Sequence, residues 1–126
     1  MPAHYVIDAE NRIVLTIFRG VLTLREAAEQ SAKLSADPGF DPDFSELVDF
    51  NGVSEVQMGY ADFRSLLAID PFSTTSKHAF VVSSPNSVYG TVRMYHTMRG
   101  DDALVEIFKT TTEAINWLTS AAQPTI

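Results

Sequence analysis

Phe40-Asp41-Pro42-Asp43-Phe44-Ser45-Glu46-Leu47-Val48-Asp49-Phe50 is the stretch on which the reading of this 126-residue chain turns. Pro42 between acidic residues marks a turn. The apolar positions that follow predict a strand over residues 46–50, and Asn51-Gly52-Val53-Ser54, with two strong turn formers, predicts a loop after it. Asp49 then stands at the end of a strand. In open α/β sheets ligands and partners meet the carboxyl ends of strands, so Asp49 is the first candidate site residue.

Upstream, residues 4–7 and 12–19 are rich in β-formers and flank the polar run Asp8-Ala9-Glu10-Asn11, which predicts an antiparallel hairpin. Ile13, Leu15 and Ile17 share one face of the second strand, while Val14, Thr16 and Phe18 share the other. Neither face is polar, so the strand is expected to be covered on both sides. Gly20 interrupts it. Thr23 with Glu26 has the spacing of a capping box, starting a helix that runs to about Ser35 with the stripe Leu24, Ala27, Ala28, Ser31 and Leu34, until Asp37-Pro38-Gly39 stops it.

Downstream, Phe63, Leu66 and Leu67, at helical spacing from Tyr60, mark the core side of a second helix that ends near Asp70, before Pro71. Residues 77–82 form a strand-length apolar run. Ser83-Ser84-Pro85-Asn86-Ser87 offers caps for a helix over residues 88–99, closed by Gly100. Residues 104–108 read as a fifth strand, and Thr110 with Glu113 caps a last helix whose inner side is Ala114, Trp117 and Leu118. The order is β-β-α-β-α-β-α-β-α. Right-handed crossovers then make strands two to five parallel, giving an α/β single domain over residues 1–126 with a five-stranded mixed sheet and four helices.

Composition narrows the function. A net charge of −7 with only nine scattered Lys and Arg argues against a nucleic-acid partner, which would need clustered cations. The absence of cysteine removes thiolate catalysis and Cys-ligated zinc, and fits a reducing, cytoplasmic setting. Met-Pro-Ala-His-Tyr has no basic segment followed by an apolar run, and no later run approaches a membrane span, so a soluble protein is expected.

The element order, with Leu47-Val48-Asp49-Phe50 entering a loop, resembles the STAS fold of the anti-sigma-factor antagonists. More closely, the chain resembles the uncharacterised bacterial SpoIIAA-like proteins. The similarity rests on Ala-Asp-Pro-Gly-Phe-Asp-Pro-Asp-Phe before the third strand, on Tyr89-Gly90-Thr91-Val92-Arg93-Met94-Tyr95, and on Glu113-Ala114-Ile115-Asn116-Trp117-Leu118. It implies the STAS fold and a regulatory role without a reaction. In the antagonists a serine following an aspartate, at the start of the helix after the third strand, is the regulatory site. The corresponding pair falls here on Gln57 with Met58 or Gly59, so the serine is missing. Ser54, slightly upstream, reads as a turn residue.

Candidate chemistry is sparse. Asp49 as a phosphate acceptor or Mg²⁺ ligand would need the acidic pair of a receiver domain; Lys109 fits that pattern but the pair is absent. Asp49 alternatively caps the Asn51-Gly52 turn. Tyr89, Arg93 and His96 lie at helical spacing and are candidates to hold one anionic ligand, against the plainer reading that Tyr89 packs inward, Arg93 pairs with Asp49 or Glu55, and His96 is solvated. His4, His78 and His96 have no metal-ligand spacing, and no serine sits in a nucleophile elbow. No metal or cofactor is expected. Met58, Tyr60, Phe63, Phe72, Met94, Tyr95 and Met98 are candidates to line a groove for a small apolar ligand, or else belong to the core. STAS proteins are also distantly similar to the lipid-carrying SEC14 domains. The expectation is therefore a non-enzymatic, protein-binding module whose partner docks near Asp49, Met58, Gly59 and Tyr60. The alternative is a carrier of a small apolar or anionic ligand anchored by Arg93. A homodimer through a sheet edge or helix face is also open.

Overall fold

A computed structural model describes residues 3–83, 87–99 and 104–120. Its elements are β1 (Ala3–Asp8), β2 (Ile13–Thr23), α1 (Leu24–Ser35), β3 (Ser45–Gln57), α2 (Tyr60–Ala68), β4 (His78–Val81), α3 (Ser87–Arg99), β5 (Val105–Phe108) and α4 (Thr111–Thr119). The sheet order is β1-β2-β3-β4-β5, with β1 antiparallel to β2 and the other pairings parallel. The expected order and strand directions are those found.

Each parallel crossover steps to the next strand in the same direction, so right-handed connections lay α1, α2 and α3 on one face of the sheet. Ala27 of α1, Phe63 and Leu66 of α2, and Val88 and Val92 of α3 share a buried cluster with Phe18, Val48, Phe50 and Phe80. α4 covers the opposite face, where Ala114 and Leu118 pack on Ile13, Leu47, Ala79 and Val81. A smaller cluster of Val14, Leu34, Phe44 and Phe72 closes the end at which the parallel strands begin. β2 is accordingly buried on both sides, as its sequence requires.

Parallel register sets side chains in rows across the sheet. On the face under α1–α3, one row runs Val14, Glu46, His78, Val105, and the next runs Thr16, Val48, Phe80, Ile107. The first row therefore puts a carboxylate beside an imidazole inside an otherwise apolar layer.

The helix starts follow their caps. Thr23 Oγ1 accepts the Glu26 N–H at 3.3 Å and Thr110 Oγ1 accepts the Glu113 N–H at 3.1 Å. The stop after α1 is an Asx turn: Asp37 accepts the Gly39 N–H at 2.8 Å and the Tyr5 hydroxyl at 2.7 Å, which holds its carboxyl below the usual range. Residues 84–86 and Gly100, expected to bracket α3, lie outside the described residues.

One boundary differs from expectation. Asn51-Gly52-Val53-Ser54 is not a loop: β3 continues through it to Gln57, paired with Arg19 to Thr23 of β2. Two features absorb the turn formers. Gly20 takes a φ of 68° within a bulge of β2, and a Cβ on Gly52 would come within 3.3 Å of the Phe18 carbonyl, so glycine there permits a close backbone approach. Asn51 turns its side chain outward to accept the Ser83 N–H at 2.8 Å. The β2–β3 pair thus overhangs the sheet beyond β4, which ends opposite Asp49.

Candidate functional site

The overhang places the expected site residues, and it separates them. Asp49 lies within β3, not at its end, and its Oδ1 accepts the Asn51 N–H at 2.8 Å. Alternation puts it with Leu47 on the α4 face, across the sheet from α3, so it does not meet Arg93. Among the described residues the ion pairs are Arg25–Glu29 and Asp70–Arg99, with Glu46 and His78 joined by a hydrogen bond, and Arg93 is in none of these. Tyr89 packs inward against the core, while Arg93 is exposed. His96 is neither solvated nor aimed at a common ligand: it is half-buried, and its Nε2 donates to the Val105 carbonyl at 2.9 Å, tying α3 to β5. The triad of Tyr89, Arg93 and His96 therefore does not converge.

Met58, Gly59 and Tyr60 form the entry to α2. Asp62 Oδ2 accepts the Gly59 N–H at 2.9 Å, and Met58 is half-buried against the core. Tyr60, a candidate for both the docking surface and the apolar groove, is 60 % exposed. Of the apolar residues expected to line a groove, Phe63, Phe72 and Tyr95 line one cavity, Met58 and Met98 pack on the core, and Tyr60 and Met94 face outward.

The chemistry that the fold does assemble lies at the opposite end of the sheet, where the parallel strands start. His78 opens β4 and is 2 % exposed. Its Nδ1 is 2.8 Å from Glu46 Oε1, and its Nε2 is 2.8 Å from Arg99 Nη2. A guanidinium only donates, so Nε2 accepts and Nδ1 carries the proton given to Glu46. The same Nη2 donates to Asp70 Oδ2 at 2.6 Å, and Nη1 donates to the Tyr95 hydroxyl at 3.2 Å. Asp70 also accepts the Phe72 N–H at 3.0 Å, and the Phe72 ring meets His78 edge-on at 5.3 Å. Three elements, β3, β4 and α3, and the segment after α2 thus converge on one guanidinium.

Burial and charge oppose each other here. Burial works against the Arg99 charge, but the fields of Tyr95, Asp70 and Glu46 and the Asp70 hydrogen bond outweigh it and raise the Arg99 pKa. Burial pushes the Tyr95 phenol up to about 12, opposed by Arg99 and reinforced by Glu46 and Asp70. Beside this network a cavity of about 90 Å³ lies between the sheet and the three helices. Its walls are chiefly apolar, from Phe18, Val48, Phe63 and Phe80, and its polar lining includes Thr16, Gln30, Glu46, Asp70 and Arg99.

Sequence reasoning passed over Glu46, Asp70, His78, Arg99 and Gln30 as site residues. The available signal was a charged or imidazole side chain at the start of two adjacent, otherwise apolar parallel strands. The rule that ligands meet the carboxyl ends of strands rests on a point where the strand order reverses, and a sheet ordered β1-β2-β3-β4-β5 has none.

No family model matches the chain, and no curated protein matches it. Solved structures do. An uncharacterised protein of the DUF3478 family from Shewanella loihica PV-4, which has a SpoIIAA-like fold, superposes with a TM-score of 0.64 at 16 % identity, over 92 % of this chain and 93 % of its own. The anti-sigma factor antagonist SpoIIAA in its unphosphorylated form superposes with a TM-score of 0.57 at 15 % identity, over 94 % of this chain and 98 % of its own. At such identities the likeness is one of architecture, and it spans nearly the whole length of each protein: this chain is a mixed α/β domain with a SpoIIAA-like fold.

Proposed function

We propose that this chain is a non-enzymatic regulatory module of STAS type that acts in the cytoplasm by binding a protein partner at the entry to α2. The fold neighbour named as an anti-sigma factor antagonist supports a regulatory role, and the supporting observation in this chain is Tyr60. A large aromatic side chain, 60 % exposed at the first position of α2, is a ready anchor for a protein interface. Arg64 lies over its ring at 5.9 Å, restricting the phenol before a partner arrives. The exposed Glu55 and the half-buried Asp62 flank it, which suits a basic partner surface. With no serine among Gln57, Met58 and Gly59, binding is constitutive and not relieved by phosphorylation at the position the antagonists use.

The test is affinity capture from the native host, followed by binding measurements with each purified candidate. A specific partner should bind Tyr60→Ala and Met58→Glu about 30-fold or more weakly than wild type, the loss of one hot spot of ~2 kcal/mol. Partners indifferent to both substitutions would refute the assignment.

A further inference from the structure

The cavity under α1–α3 holds two polar groups that the protein leaves unsatisfied. Gln30 is only 8 % exposed, on the sheet-facing side of α1, and its Nε2 is buried with no hydrogen-bond partner. Arg99, on α3, satisfies Nη1 and Nη2 within the network, but its Nε is likewise buried and unpartnered. Both residues line the cavity. Each is a donor, and an unpaired buried donor is costly, so two around one space favour an occupant that supplies acceptors.

Charge decides what kind of acceptor. The cavity's polar lining contains two carboxylates, Glu46 and Asp70, against the single guanidinium of Arg99, and the hydrogen-bond roles of His78 leave it uncharged. A ligand anion would meet an excess of negative charge with its natural partner already engaged by Asp70. A neutral oxygen meets no such opposition. The carboxylates can in turn accept an N–H or O–H from the same head group. The remaining walls, Phe18, Val48, Phe63 and Phe80, offer only apolar surface. A volume of about 90 Å³, at roughly 10–15 Å³ for one water-sized group, has room for about six heavy atoms, so the apolar part is short.

We infer that this cavity is a binding site for a small uncharged amphiphile, a carbonyl or amide head on a short branched hydrocarbon, whose oxygen accepts from Gln30 Nε2 and Arg99 Nε. None of Met58, Gly59 and Tyr60 lines the cavity, so the site stands independently of a protein partner at the α2 entry.

Isobutyramide, isobutyrate and isobutylamine share one hydrocarbon body and differ in head group. Titrated into the intact ¹⁵N-labelled protein, isobutyramide should give saturable shifts at the Gln30 side-chain amide and the Arg99 Nε–H, with the charged analogues at least about tenfold weaker, the equivalent of ~1.4 kcal/mol. Gln30→Leu keeps the apolar packing and should weaken isobutyramide about tenfold, by loss of one hydrogen bond. Ala27→Val, which fills the cavity from α1, should abolish the shifts and serves if Gln30→Leu does not fold. Equal or tighter binding of isobutyrate or isobutylamine would overturn the proposal. So would an isobutyramide-soaked crystal with only water at Gln30 and Arg99, or the absence of saturable shifts at those groups.

Discussion

Arg99 shows how one side chain at a helix end can be indispensable without touching a substrate. Its Nη2 is shared between Asp70 and His78, and His78 in turn holds Glu46, so removing the guanidinium leaves the half-buried Asp70 carboxylate without its partner and loosens the hold on His78. Arg99→Met is expected to destabilise the fold by less than the about 3–5 kcal/mol that breaking a fully buried pair costs, because both partners keep some contact with water. Asp70→Asn in the same chain removes part of the uncompensated charge, so the double variant should fall short of the summed single losses by about 1–3 kcal/mol. Urea midpoints of the four proteins measure this, and strict additivity would show that the two groups do not interact. At this scale the sequence was least legible. Arg99 reads as an ordinary cation near a helix C-terminus, and nothing local to Glu46 or His78 states that parallel register will set them side by side. Conversely, Asp49 attracted notice as a strand-end carboxylate and proves to bond its own backbone two residues on. Local pattern identifies the residue type; the partner comes from strands about thirty residues away, a separation that local propensity does not encode.

The elements were legible almost throughout, because each rests on local signals: Thr23 and Thr110 as caps, the apolar periodicity of α4, the run before Ser83. The exception, the overhanging half of β3, is instructive. Asn51-Gly52 is a strong turn former taken alone, but pairing with β2 through the Gly20 bulge supplies ladder partners that outweigh the local preference. Gly20 has φ 68° with open space around its absent Cβ, so Gly20→Ala should cost about 1–2 kcal/mol from backbone strain alone. Gly59 is the opposite case. As N-cap of α2 it has φ −109° and ψ −170°, and a Cβ would meet nothing within 4 Å. Gly59→Ser is expected to stabilise by a few tenths of a kcal/mol, by offering its hydroxyl to a first-turn N–H, ~0.3 kcal/mol being typical of the exchange. Thermal unfolding of the two variants side by side tests both signs; a stabilised Gly20→Ala would mean that the bulge does not require its left-handed backbone.

At the scale of the whole molecule the buried network connects stability to alkaline pH. The folded protein holds the Tyr95 proton to about 12, against an ordinary value of 10.0. The folded state thus binds this proton more tightly than the unfolded chain does. Its contribution is complete below pH 10 and is lost as pH rises from there towards 12, amounting to roughly 2–3 kcal/mol for a shift of this size. Tyr95→Phe should flatten that part of the stability curve, and phenolate absorbance of the native protein should show one tyrosine ionising late. A Tyr95→Phe protein with an unchanged alkaline limb would assign the loss elsewhere. Fold class and strand directions were readable at this scale because alternating helices and strands with right-handed crossovers leave few arrangements. The cavity was not, since it exists only where three rows of the sheet and three helices fail to close.

The consecutive strand order has a further consequence, in time. Ile13 of β2 pairs with Ser45, Glu46 with His78, and His78 with Val105, so every strand added to the sheet finds its edge already built by the segment before it. During synthesis the β1–β2–α1–β3 unit has all its own pairing partners before β4 is made, and growth proceeds outward along one edge. Arg99, arriving with α3 after Glu46, Asp70 and His78 are in place, is then the last charge to enter the network. Until it does, the carboxylates of Glu46 and Asp70 lack the guanidinium beside them, and its arrival completes the network before β5 and α4 are made.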